Sequence, residues 1–176
     1  MSGDASRTAR VLAAAEADGQ PAPRLDQEAA VGALGAMLEA CHAAIYATAT
    51  AGGALAPLGP PAAAARELAR SAWLAHRELR DALVSALQAE GARPPAALPA
   101  YRLPAAPVSV AAALRVLAQV EDACAAAAHD ATAVLSARSR RLAVDALGGA
   151  AIRAQRARLS AGLPPATATR ALPGAV

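Results

Sequence analysis

Side chains able to bind a metal or move a proton are few in this sequence, and they fall at helical spacings. In "LEACHAAIY", residues 38–46, Glu39 and His42 stand three apart, so on a helix a carboxylate and an imidazole leave from successive turns. A di-iron or di-manganese carboxylate site needs two such Glu-x-x-His pairs and a lone Glu from each of two further helices. Carboxylates bridge the cations there and imidazoles complete the coordination. His76, Glu121 and Asp145 are the other candidates, and they meet that pattern only in part: Trp73 occupies the Glu position before His76, and Gly148 the His position after Asp145. An intact di-iron oxidase is therefore not expected.

Two readings of the same residues remain. In the metal reading, His42 and His76 with Glu39 or Glu121 hold a single iron, manganese or zinc ion, or a degenerate di-metal site. In the preferred reading, Glu39, His42, His76 and Glu121, with Tyr46, Arg80 and Asp145, form a buried polar cluster. Its pairing fixes the register of the helices, because an unpaired buried charge costs several kcal/mol and must find a partner. Cys41 and Cys124 fall within helical patterns without any CxxC, which suits free buried thiols in a reducing cytoplasm. His129 and Asp130 read as a solvated pair. Arg138, Arg140, Arg141, Arg153, Arg156 and Arg158 offer a phosphate-binding or nucleic-acid-binding face, but no aromatic platform for bases accompanies them, and a solvated helix face is the simpler expectation.

The elements that would position these groups are four long helices divided by Pro and Gly. The first is expected from Asp26, a good N-cap, to about Thr50, where "AGGALAPLGPP" should break it. The second starts at Pro60 and Pro61 and ends at Gly91. A segment containing Pro94, Pro95, Pro99, Pro104 and Pro107 follows, extended and long enough to cross a bundle. Ser109 caps the third helix, expected to reach Leu135, and the fourth runs from Ala137 to Ala161, ahead of Gly162, Pro164 and Pro165. Apolar steps of three and four put Val110, Leu114, Leu117, Glu121, Cys124 and Ala128 on one seam; Ala69, Trp73, His76, Leu83 and Leu87 on another; and Leu142, Asp145, Gly149 and Ile152 on a third.

The order of "EACHAAIYATATAGG", "AHRELRDAL", the Pro-rich "AYRLP" loop, "VEDACAAA" and a closing Arg-rich helix resembles an uncharacterised ferritin-like DUF family of actinobacterial proteins, over residues 28–163. The resemblance implies an all-α fold, a ferritin-like four-helix bundle with the Pro-rich segment as its long crossover between helices two and three. It implies no activity, since that of the family is itself unassigned.

Composition sets the outer limits. The 176 residues suit one domain, and 56% hydrophobic content excludes a wholly disordered chain. About a third are Ala, which favours helix but buries little area per side chain. All 17 basic residues are Arg, and a net charge of +3 gives no reason to expect nucleic acid. No secretory signal is visible, and the apolar tract from Ala43 to Leu58 falls short of the roughly 20 residues of a membrane span. The expected layout is a leader over residues 1–24 with one short helix, the bundle over 25–162, and a Pro-rich tail over 163–176 that is either disordered or docked on a partner. No Gly-rich phosphate loop, zincin helix or nucleophile elbow is present, so the sequence names no reaction. A structural, small-ligand or protein-binding role is expected, and an Ala-rich helix face would suit a homodimer.

Overall fold

The computed structural model of the chain describes residues 22–170 and 173. The leader helix expected within residues 1–24 lies outside the described residues, apart from the first turn of α1. The structure is all-helical: α1 (Ala22–Leu55), two 3-10 turns (Ala56–Leu58 and Pro60–Ala62), α2 (Ala63–Ala89), α3 (Val110–Val134), α4 (Ala137–Ser160) and a short α5 (Pro165–Ala168). No strand occurs among the described residues.

Local chemistry sets most boundaries. Ser109 accepts the Ala112 amide at 3.2 Å and caps α3. Gly91 and Gly162 end α2 and α4 with φ of 72° and 89°, a region closed to most side chains. At each end the Schellman pair of bonds closes: Ala92 N–H donates to Leu87 O and Gly91 N–H to Gln88 O, and likewise Leu163 to Arg158 and Gly162 to Leu159. The N-terminus of α4 is less comfortable. Ser136 makes no side-chain cap there, and Ala137 is held at φ 44°. An L residue with a Cβ costs about 1–2 kcal/mol in this region. Ala137→Gly should therefore stabilise the protein by roughly 0.5–1 kcal/mol once the greater freedom of unfolded Gly is subtracted. A denaturant midpoint that falls instead would show that the turn does not strain the chain.

Helix α1 departs from expectation at both ends: it starts at Ala22, so Asp26 lies inside the helix and is not its cap. It does not stop at Thr50 but passes through Gly52 and Gly53 to Leu55. Ala51 and Leu55 are fully buried against Ala62, Ala65 and Ala69, and a Cβ on Gly52 would lie 3.6 Å from that of Ala69. Burial of this last turn outweighs the roughly 1 kcal/mol that each Gly costs a helix. The continuous segment Asp26–Leu58 is long and apolar enough, by length and composition, to cross a membrane, which corrects the shorter tract read from the sequence. Much of that apolarity is Ala, and one side of α1, including Leu34, Leu38 and Leu55, is buried against other helices.

Two apolar clusters define the direction of each helix. One joins Leu34, Leu38 and Cys41 of α1 to Leu83 and Leu87 of α2, Ala131 of α3, Leu135 just after it, and Ala143 of α4. The other joins Ala51 and Leu55 to Ala65 and Ala69, Leu114 and Leu117, and Ala157. Helices α1 and α4 thus run one way, and α2 and α3 run the other. Two antiparallel hairpins, α1/α2 and α3/α4, are connected by the Pro-rich segment, which returns along the length of the molecule with Tyr101 against Tyr46 at 5.8 Å between ring centres. Helix α1 packs on α2 and α3, and α3 on α4, while α2 and α4 lie side by side with few contacts and leave a seam.

Helix α4 is rotated from the face its sequence suggests. Its buried residues are Ala143, Ala150, Ala154 and Ala157, whereas Ile152 is 51% exposed and Asp145 faces solvent. The larger apolar side chains pointed to the wrong stripe. The alanines face inwards because they let α4 approach α3 closely.

Candidate functional site

The interior polar groups meet where the α2/α4 seam crosses the middle of the molecule. His76 sits on the stripe of α2 that carries Ala69, Ala72 and Leu83, so steps of four and seven turn it inwards. Glu121 lies between Leu117 and Cys124 on the seam of α3 and is turned inwards in the same way. Their side chains are 0% and 1% exposed, and His76 Nε2 lies 3.0 Å from Glu121 Oε1. An ionised carboxylate only accepts, so the imidazole donates through Nε2. The third member is Arg153 of α4, whose Nε donates to the same Oε1 at 2.9 Å. It follows Ala150 by three residues and precedes Ala157 by four, so it leaves from the edge of the buried face and remains 21% exposed. One turn earlier stands Gly149, where a Cβ would come 3.1 Å from the Arg153 guanidinium. The missing side chain gives the guanidinium its path.

Both donors use one carboxylate oxygen. Glu121 Oε2 and His76 Nδ1 are buried without a hydrogen-bond partner among the described residues. Beside Glu121 a cavity of about 20 Å³, also lined by Ser71, Arg153 and Arg156, is large enough for one water. Two thiols adjoin this centre. Cys41 Sγ donates to the His76 carbonyl at 2.9 Å, which ties α1 to α2, and Cys124 Sγ lies 3.7 Å from the Ala40 carbonyl. Burial pushes the Cys41 thiol up to about 12 against the opposing charge of Arg80. Cys124 is held well above the usual thiol range by burial first and by the Glu121 charge second. Both cysteines are free and buried, and neither supplies a thiolate nucleophile near neutral pH.

The remaining candidates from the sequence disperse. Glu39 is exposed, which corrects its placement in a buried cluster, and the same holds for Asp145. His42 is half-buried, and its Nε2 has no hydrogen-bond partner among the described residues. Tyr46 packs on Tyr101, and Arg80 pairs with its neighbour Asp81. The structure therefore does not bring Glu39, His42, His76 and Glu121 together as one ligand set. Among the described residues no group of three or more His, Cys, Asp or Glu side chains is placed to hold a metal ion. His129 and Asp130 are exposed side by side.

Sequence reasoning missed the role of Arg153, which it counted among solvated arginines. A lone Glu in an apolar seam demands a cation, and Gly149, one turn before Arg153, marked where one had room to enter. It also missed Asp122, which pairs with Arg158 and Arg170. These contacts, with Gln155 donating to Thr169 Oγ1 at 2.6 Å and Ala168 fully buried, seat the start of the Pro-rich tail on its own chain.

A family profile described as "Domain of unknown function (DUF4439)" matches residues 33–176. The chain is also similar to a solved structure, that of a conserved hypothetical protein, rv2844, from Mycobacterium tuberculosis. The two share 30% sequence identity and a TM-score of 0.70, over 80% of this chain and 95% of that one. No curated protein matches.

Proposed function

The chain belongs to the DUF4439 family, and from that premise we propose that it is a ferritin-like four-helix bundle whose central position, where such bundles hold metal, is taken by the Glu121–His76–Arg153 network. The topology supports the ferritin-like reading: two antiparallel hairpins joined by one long crossover, with α2 parallel to α3. The observation that carries the functional reading is the Arg153 guanidinium. It donates to Glu121 Oε1 from inside the seam, so the charge that a di-metal site would bring is already supplied by the protein. Among the described residues only His76 and Glu121 converge as metal-type donors, and they do not fit a di-iron, di-manganese or zinc centre.

On this reading the protein is a cytoplasmic, non-catalytic module over residues 25–162 that binds a small ligand or another protein, with actinobacterial relatives and no membrane partner. Its two free buried thiols agree with a reducing compartment. Two of the six arginines of α4, Arg153 and Arg158, are committed to Glu121 and Asp122 of α3, which removes them from a phosphate-binding face. Elemental analysis of protein purified without chelator or a nickel column, then incubated with iron, manganese and zinc, tests the assignment. Metal should stay far below one equivalent, and chelator should leave the melting temperature unchanged. One bound equivalent that disappears in His76→Ala would overturn the proposal in favour of a metal centre.

A further inference from the structure

Between the second half of α1 and the first half of α2 runs an open groove of about 410 Å³, a size typical of sites for drug-sized molecules. It shares no residue with the central network. Its floor is made of small residues, Ala49, Gly52 and Ala69, and the close approach of Gly52 to Ala69 makes that floor shallow and even. One wall is Trp73, the only tryptophan of the chain. The Arg77 guanidinium lies 4.5 Å from the centre of its ring, a cation–π contact, and does not itself line the groove.

The charges are equally specific. Arg70 and Glu67 form a two-pronged pair, with Nε to Oε2 at 3.0 Å and Nη2 to Oε1 at 2.8 Å, and neutralise each other. Arg66 also lines the groove and has no hydrogen-bond or ion-pair partner among the described residues. It stands in the first turn of α2, where the helix dipole adds further positive potential. A flat floor, an aromatic wall and one unneutralised guanidinium match a planar ring bearing a single negative charge. A phosphate ester would bring more charge than Arg66 balances, and a polynucleotide would need a row of cations.

We propose that this groove binds a small aromatic monocarboxylate, with its ring against Trp73 and its carboxylate on Arg66. The proposal gives a ligand class to the binding role argued above but stands on different residues, so the metal assay and the following test fail independently.

Because Trp73 is the single tryptophan, the ¹⁵N spectrum of the full chain contains one indole N–H cross-peak, which reports directly on the wall. Titration with 2-naphthoate should move that peak saturably. Naphthalene-2-carboxamide, of the same shape without the charge, should bind about tenfold more weakly, and so should 2-naphthoate to Arg66→Met, since loss of a charge-assisted pair is worth roughly 1.4 kcal/mol or more. Arg66→Lys should recover part of the affinity. Circular dichroism and the melting temperature of both variants should match the parent, because Arg66 is exposed. The proposal is overturned if 2-naphthoate gives no saturable shift, or if the carboxamide and Arg66→Met bind as well as their charged counterparts, which would make the groove merely greasy. It is equally overturned if the peak moves with protein concentration alone while sedimentation shows a dimer, which would make this face a contact between copies.

Discussion

Glu121→Ala is expected to lower the stability of the fold by about 3 kcal/mol, at the lower end of the range for breaking a buried ion pair from one side. The substitution leaves His76 fully buried without its acceptor and removes the anchor of Arg153. The cost stays at the low end because Arg153, 21% exposed, can swing out along the seam and recover its hydration. For a chain of this size the melting temperature should drop by roughly 6–12 °C. Replacing His76, Glu121 and Arg153 together by Leu or Met of similar volume should instead leave stability near or above that of the parent, because no charge is then left buried alone. The contrast between the single and triple variants is the diagnostic. If Glu121→Ala melts within a degree of the parent, the network does not hold the helices, and the assignment of Arg153 as its counter-charge fails with it.

Ala150→Leu is expected to cost about 1–3 kcal/mol through overpacking, although it adds only apolar surface. Ala150 is 1% exposed and packs with Ala44 of α1 and with Cys124 and Ala125 of α3. Three extra carbons there must push helices apart. Ile152→Arg, two residues along but half in solvent, should change stability by less than about 0.5 kcal/mol. Thermal or urea unfolding of the pair checks the rotation of α4 directly. The opposite ranking would put Ile152 inside and restore the face suggested by the sequence.

That rotation shows where the sequence was legible and where it was not. Ser109, Gly91 and Gly162 marked helix ends by short-range chemistry, and the ends lie where these residues put them. The seam of α3 could also be read, because Leu114, Leu117 and Cys124 contrast with polar neighbours and carry Glu121 with them. In α4 the inward residues are alanines, and Ala is nearly as common outside as inside this molecule, so periodicity had no contrast to work on. The same blindness placed Asp145 inside. Glu39 was misplaced for a related reason: it follows Leu38 directly, and one residue is 100° of rotation, enough to carry a side chain from core to solvent. Glu-x-x-His spacing fixes what two residues do relative to each other and says nothing about which way the pair looks. Arg153 could not be separated from the other arginines of α4 without knowing that Glu121 lies opposite.

The division into two hairpins has a consequence for how the chain is made. The α1/α2 half leaves the ribosome before the α3/α4 half exists, and its contribution to the centre is an imidazole and a thiol, groups that tolerate a wait in water. The oppositely charged members, Glu121 and Arg153, arrive together on the later half, already facing each other across α3 and α4. Vectorial synthesis therefore never presents the earlier half with a solitary ion to enclose, and the nascent polypeptide can stall at the Pro-rich strap without electrostatic penalty.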